Sequence, residues 1–287
     1  MTTGKIIVFA TSFSDELMTK PSRTGEAARR LEQAAGDAGC TVEYRSDRDP
    51  SDPMTAAELE SAAAAEHGVT VTNTPGVNAL PMAEWALATL IDVASRRIPH
   101  HERAANGLRK TGPSRIDLSG KRVGIVGTGF SGRYMAELLS GFRPEILAYA
   151  PRPDRQWADA HGVRYVRLCE LCSSCEFITL HASASHCVIG EEELALMGPT
   201  TVLVNCARSV LVDNRAVWKA VRDGRIWGYG IDEVWEHEDL PLDGHNIIAS
   251  PHVASDTDGG KLGMQLGSVA AVIDFLQGRR PEHCVTP

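Results

Sequence analysis

No apolar run in this chain approaches the ~18 residues needed to cross a bilayer, so a membrane protein is not expected. The opening residues, Met1 to Phe9, also lack the long apolar core of a secretory signal. Ile6 to Ala10 reads instead as a first strand, and a cytoplasmic location is expected. Basic residues are in deficit. A net charge of -8, from 29 Lys and Arg against 37 Asp and Glu, leaves no electrostatic footprint for nucleic acid. The seven cysteines are odd in number and accompany no secretory signal, which implies reduced thiols rather than a disulfide framework. Cys169, Cys172 and Cys175 have the C-x-x-C-x-x-C spacing that can offer thiolates to zinc or an iron-sulfur cluster. No fourth ligand lies near them, however, and Leu168 to Cys175 reads as a short helix in which that spacing marks one face. Small buried or half-buried thiols are expected there, and no metal. Internal repeats and low-complexity tails are absent too.

What is present is an ordinary globular composition, 43% hydrophobic over 287 residues, enough for one large domain or two moderate ones. Strand signals fall at Ile6–Ala10, Val42–Tyr44, Val69–Thr72, Val123–Val126, Ile146–Tyr149, Phe177–Leu180, Val202–Asn205, Gly228–Asp232 and Asn246–Ala249. Helical patterns at Gly25–Ala38, Pro81–Ser95, Glu191–Met197 and Arg215–Asp223 lie between them. Such alternation predicts an α/β fold around a parallel sheet. Arg109 to Gly120 reads as a loop or arm, and a linker around Asp256–Gly260 precedes a last helix, Leu262–Gln277. The layout suggests a dinucleotide domain over residues 80–255 inserted into a smaller domain made from residues 1–79 and 256–287.

The most specific motif is Val123-Gly124-Ile125-Val126-Gly127-Thr128-Gly129-Phe130-Ser131-Gly132, an apolar strand that runs directly into G-x-G-x-x-G. In a chain with 26 glycines such a pattern can arise by chance. Its flanks argue otherwise: Tyr134, Leu138 and Leu139 continue a helical stripe, and Ile146–Tyr149 supplies the next strand. Gly127 would permit the tight turn, Gly129 the approach of a pyrophosphate, and Gly132 close packing of a helix whose N-terminal amides face the phosphates. Downstream, Arg208, Asp232 and His252 each lie at the end of an expected strand, the edge where parallel sheets bind ligands. Taken singly, a surface ion pair, a cap and a satisfied loop histidine would account for them.

Taken together, the ordered segments resemble the D-2-hydroxyacid dehydrogenases, the group that contains phosphoglycerate dehydrogenase, glyoxylate and hydroxypyruvate reductases, and formate and phosphite dehydrogenases. The resemblance runs through Val71-Thr72-Asn73-Thr74-Pro75-Gly76, Ala83-Glu84, Leu118-Ser119-Gly120-Lys121, the glycine loop, Leu180-His181, Glu193-Leu194-Ala195-Leu196-Met197, Cys206-Ala207-Arg208, Leu211-Val212-Asp213 and Ser250-Pro251-His252. It implies a doubly wound Rossmann domain with a smaller flavodoxin-like α/β domain formed by both chain ends. It also implies hydride transfer between a 2-oxo acid and a 2-hydroxy acid. Arg208 would bind the substrate carboxylate, and His252 would be the general acid and base. Asp232 would contact the nicotinamide carboxamide, with His181 and Cys206 also near the cofactor. A guanidinium suits an anchored carboxylate and a carbonyl oxygen that gains charge. An acid beside a histidine favours the imidazolium and keeps a proton available for reduction.

Which acid partners His252 depends on alignment. If Glu233 is an extra residue relative to the family pattern, Glu238 takes the position and is the choice made here; without an insertion His237 falls there, and Glu236 or Asp239 can compensate. Two departures stand out. The second strand of the nucleotide domain ends at Ala150 where many NAD-binding members carry an acid, and Arg152, with Arg155, can attract a phosphate, so NADP is favoured and NAD remains possible. Asp154 weighs against this. The first domain also looks truncated, since Met54 to Val69 offers no equivalent of the glycine-containing loop that helps hold substrate. The expected protein is therefore an NAD(P)-dependent enzyme acting on a small molecule, paired as a homodimer through the helix at Pro81 and the following arm. The alternatives are a nucleotide-binding sensor or scaffold with little turnover, or a reductase of a larger substrate without a carboxylate.

Overall fold

A computed structural model describes residues 5–9, 23–45, 70–108, 114–233, 235 and 240–285. The chain divides into two compact units, Met1–Asn78 with Asp258–Pro287, and Ala79–Thr257. In the first unit, β1 (Lys5–Phe9) and β2 (Thr41–Arg45) pair in parallel across the helix α1 (Arg23–Asp37), a right-sized βαβ crossover. Leu31 and Ala35 of α1 are fully buried.

The expected strand Val69–Thr72 does not form over residues 70–72: Thr72 makes only an isolated antiparallel bridge to Cys284. The cause is local. Asn73 donates to the His283 carbonyl and Val285 to that of Val71, and the turn at Gly76, with φ of +78°, ends the extended stretch within a few residues.

The second unit holds a seven-stranded sheet of β3 (Arg122–Val126), β4 (Glu145–Tyr149), β5 (Val163–Tyr165), β6 (Phe177–Leu180), β7 (Val202–Asn205), β8 (Gly228–Ile231) and β9 (Ile247–Ala249). All its pairings are parallel, in the order β5-β4-β3-β6-β7-β8-β9. β6, β7 and β8 are buried at every position, as parallel strands covered on both faces must be.

The helices of this unit are α2 (Ala79–Ala94), α3 (Arg97–Ala105), α4 (Phe130–Leu138), α5 (Arg155–His161), α6 (Leu168–Ser174), α7 (Glu191–Leu196) and α8 (Asn214–Arg222). On one face of the sheet Ala83, Leu90 and Met135, from α2 and α4, pack with Val123, Ile125 and Val204. On the other, Leu171, Leu194 and Val217, from α6, α7 and α8, pack with Leu147, Ile178 and Leu203. Each buried Leu, Ile, Val or Met among them contributes roughly 1.5–3 kcal/mol relative to exposure. Helices on both faces make the doubly wound arrangement. Cys172 and Cys175 are buried in the second of these cores, while Cys169 is exposed.

Register decides where loops emerge. Tyr149, Val126, Leu180, Asn205, Ile231 and Ala249 form one row across neighbouring strands. Because all of these strands run the same way, the residues that follow them, from Gly127 to His252, open onto a single edge. The strand order reverses between β3 and β6, which puts the ligand crevice of such folds beside Gly127 and His181.

The last helix, α9 (Asp258–Leu276), belongs to the first unit and packs against α1. It begins earlier than the sequence pattern suggests and takes in Asp258 to Gly260, part of the expected linker. Of the expected arm, residues 114–118 form no helix or strand, and residues 109–113 lie outside the described part.

Candidate active site

The glycine turn is defined by what it cannot accommodate. Gly127 has φ of +95°, and a Cβ there would lie 2.7 Å from the Ala182 nitrogen. A Cβ on Gly132 would lie 2.0 Å from the Gly127 carbonyl oxygen, so α4 can approach the turn only if that residue has no side chain. At Gly129, the N-cap of α4, nothing lies within 4 Å of an added Cβ. Open space in front of a helix N-terminus whose first amides lack helical partners is what a pyrophosphate requires. Phe130, 61% exposed, and the half-buried Ser131 follow on the first turn. Thr128 is turned inward: its hydroxyl shares a 2.7 Å hydrogen bond with the Tyr165 phenol. The residues present therefore fit a dinucleotide.

Ala150 and Arg152 follow β4 on the same edge. Arg152 is exposed and, among the described residues, makes no hydrogen bond or ion pair. Asp154 is engaged through both of its carboxylate oxygens. Its Oδ1 accepts from the Trp157 amide at 3.0 Å, capping α5, and its Oδ2 accepts from Arg133 at 2.8 Å. The Trp157 amide first, then the Arg133 guanidinium, holds this carboxyl below its ordinary range.

Across the switch point, His181 and Cys206 are buried and face each other, His181 Nδ1 and Cys206 Sγ being 3.4 Å apart. His181 Nε2 lies 3.1 Å from the Thr179 hydroxyl, and Cys206 donates to the Leu180 carbonyl at 3.2 Å. Burial depresses the imidazole to about 3 and lifts the thiol to about 12, so both are neutral near pH 7. Their side chains are spent on each other, on the Thr179 hydroxyl and on the Leu180 carbonyl.

Farther along the edge three loops meet. Asn205, buried at the end of β7, donates to the Arg208 carbonyl at 2.7 Å and accepts from the Ala207 amide at 3.0 Å, shaping the turn that presents the exposed Arg208. Asp232, also buried, accepts from the Ser250 hydroxyl at 2.6 Å and from the amides of Val253 and Ala254 at 2.8 and 2.7 Å. It thereby clasps the loop that carries His252, whose φ of +60° is a left-handed conformation uncommon outside glycine. Between them lies Glu233. Its carboxylate accepts a hydrogen bond from the Ser209 amide, and its Oε1 is 3.7 Å from His252 Nδ1. Burial pulls Glu233 upward, but the Ser209 hydrogen bonds, the Arg208 guanidinium and His252 together outweigh it and hold the carboxyl below its ordinary value.

Glu233 is the residue that motif reading passed over as an insertion. The one sequence signal for it is a second acid immediately after the one that ends β8. Asn205 was missed too, although a polar residue closing an otherwise apolar strand marks a position where backbone must be held. Glu238, with Glu236, His237 and Asp239, lies outside the described residues. Among the described residues no group of His, Cys, Asp or Glu is arranged to hold a metal ion, and no helix is long and apolar enough to cross a membrane.

A fold with a glycine turn at its switch point, and ionisable groups gathered past it on the same edge, defines a nicotinamide-dinucleotide-dependent dehydrogenase. Comparison with known proteins narrows the class. The family model for the NAD-binding domain of D-isomer specific 2-hydroxyacid dehydrogenases matches residues 87–254, and the chain belongs to that family. It is 33% identical over 235 residues to a glyoxylate reductase of Korarchaeum cryptofilum, covering 77% of this chain and 70% of that protein. A glyoxylate reductase of Thermococcus litoralis is 32% identical over 237 residues, covering 77% and 71%. In fold, the chain matches the structure of D-2-hydroxyisocaproate dehydrogenase with a TM-score of 0.80 at 22% identity, covering 99% of this chain and 100% of the other.

Proposed function

We propose that this enzyme interconverts a small 2-oxo acid and its 2-hydroxy acid, with NADP as the preferred dinucleotide and NAD as a usable one, as a cytoplasmic homodimer. The observation that carries the reaction is the position of Glu233 between the Arg208 turn and His252. When bound, the nicotinamide supplies or takes up a hydride equivalent. Arg208 anchors the substrate carboxylate through its planar fork and offsets the negative charge that develops on the carbonyl oxygen. His252 donates the proton to that oxygen during reduction and accepts it during oxidation. Glu233, with Oε1 3.7 Å from His252 Nδ1, keeps the imidazole oriented.

Asp232 has roughly four lone-pair sites, of which three are used by Ser250, Val253 and Ala254, so one is left for the nicotinamide carboxamide. A truncated substrate domain fits a small substrate held mainly by Arg208. Support for pairing comes from α3, which buries none of its residues, and from exposed Leu80, Ile98 and Leu108 on and beside α2 and α3. A two-fold partner would cover that apolar surface. Light scattering should give twice the chain mass. Buried thiols outside any disulfide, those of Cys172, Cys175 and Cys206, suit a reducing compartment.

The direct test is a turnover screen of 2-oxo acids with NADPH and NADH, run on wild type and His252→Asn. Wild type should reduce at least one of them. The variant should lose about 10²–10⁴-fold in turnover and keep its dinucleotide affinity, because the imidazole acts on a proton and not on the phosphates. Dinucleotide binding with no turnover on any carbonyl would make the protein a sensor instead.

A further inference from the structure

We propose that Arg133 determines cofactor choice without itself touching the cofactor, by holding Asp154, the one acid between β4 and α5, in an ion pair that withdraws it from the 2′ position of the adenosine ribose. This rests on the reading that the dinucleotide is NADP. Residues 150–155 read Ala-Pro-Arg-Pro-Asp-Arg, so the loop that follows β4 and the first position of α5 carry two guanidiniums and a single carboxylate. A free carboxylate here would accept hydrogen bonds from ribose hydroxyls and repel a phosphate on them. Asp154 is not free. One oxygen is spent on the Trp157 amide and the other on Arg133 Nη2.

Arg133 is itself fixed from three sides. Nε donates to the Thr128 carbonyl at 3.2 Å, Nη2 reaches Asp154, and the guanidinium carbon lies 5.1 Å from the centre of the Trp157 ring. Tyr165 completes the link, accepting from the Asp154 amide at 3.3 Å while sharing a proton with Thr128 at 2.7 Å. The loop that bears Arg152 is thus tied to the phosphate-binding turn itself. Its acid is neutralised, and Arg152 is left exposed without a partner among the described residues. The local charge at the ribose end is positive although the chain as a whole carries -8. Sequence alone ranks Asp154 as a counterweight to NADP; the ion pair with Arg133 cancels that weight.

The experiment is direct titration of NADPH and NADH, by quenching of intrinsic fluorescence, against wild type, Arg152→Ala, Arg133→Met, Asp154→Asn and the Arg133→Met/Asp154→Asn double variant. Methionine keeps the stem that packs on Trp157, and asparagine keeps the cap on α5. A melting curve for each variant verifies folding. Arg133→Met should weaken NADPH roughly tenfold and change NADH less than about twofold, since an uncovered carboxylate acts on the phosphate alone. The double variant should regain NADPH affinity because the acid is gone. If it does not, Arg133 acts by touching the phosphate and the proposal is overturned. Equal losses for both dinucleotides in Arg133→Met would overturn it as well, while a selective NADPH loss in Arg152→Ala would leave the NADP reading standing. Tighter binding of NADH by wild type, with no selective response to Arg152→Ala, would remove that reading and this inference together.

Discussion

The two ends of the sheet's ligand-binding edge are built on opposite physical terms. At the glycine turn, function is carried by backbone and by missing side chains: Gly127 and Gly132 are hemmed in by main-chain atoms closer than any Cβ could sit. At the other end, the proposed chemistry falls to ionisable side chains on loops, with Arg208 and His252 exposed and Glu233 half-buried between them. Steric sites of the first kind have almost no tolerance. Charged sites of the second kind tolerate substitution in the fold but not in the chemistry. The loops there are nonetheless held firmly from below, by Asn205 under one and Asp232 under the other.

The strongest challenge to this contrast is Gly132→Ala. The added Cβ would meet the Gly127 carbonyl at 2.0 Å, and because that atom is backbone, α4 or the turn must move. Dinucleotide dissociation constants should rise about 100-fold, or about 2.8 kcal/mol at 1.4 kcal/mol per tenfold, with a matching fall in melting temperature. Gly129→Ala provides the counterpart. Its Cβ meets nothing within 4 Å, so stability should hold while the dinucleotide, which needs that space, binds more weakly. Equal melting temperatures for wild type and Gly132→Ala would show that the turn is not sterically locked.

Next in size is Glu233→Gln, set beside Glu238→Gln. Glutamine still accepts from the Ser209 amide but carries no charge for His252, so turnover should fall about tenfold while the dinucleotide binds as before. A large loss in Glu238→Gln with none in Glu233→Gln would return the catalytic acid to the position chosen by alignment. The pH dependence gives a second readout. Glu233 is held below its ordinary value in the folded protein, so its contribution to stability is complete above the unfolded carboxyl's pKa and disappears as pH falls through the folded one. Wild type should therefore lose melting temperature between about pH 5 and pH 3 more steeply than the glutamine variant.

The same contrast explains what could be read from residue order. The sheet was legible: apolar strands such as Val202–Asn205, separated by helices, admit few arrangements other than parallel pairing, and the glycine turn announces its own geometry. The helix α3 was not, because its residues Arg-Ile-Pro-His-His-Glu-Arg-Ala-Ala bury nothing and so leave no apolar stripe to detect. The three-residue strand β5 was missed because it is too short to show alternation. Glu233 was hidden for another reason. Its proximity to His252, 19 positions away across β9, is a product of the fold, and spacing against a family pattern marks it as surplus. Asp154 shows the same limit at the other end: its charge is visible in the sequence, but the Arg133 that cancels it is 21 residues distant.

The smallest effect is expected from Tyr165→Phe, which separates the two components of the link between the glycine turn and the loop after β4. The phenol joins Thr128 to the Asp154 amide, whereas the charge of Asp154 is met by Arg133. Removing the hydroxyl should cost about 1 kcal/mol, as for an ordinary hydrogen bond, and lower the melting temperature by roughly 2–4 °C for a domain of this size. Both dinucleotides should weaken slightly and together, leaving their affinity ratio within about twofold of wild type, because the Arg133–Asp154 pair remains. A shift in that ratio as large as the one expected for Arg133→Met would mean that the phenol, and not the guanidinium, keeps the carboxylate away from the ribose.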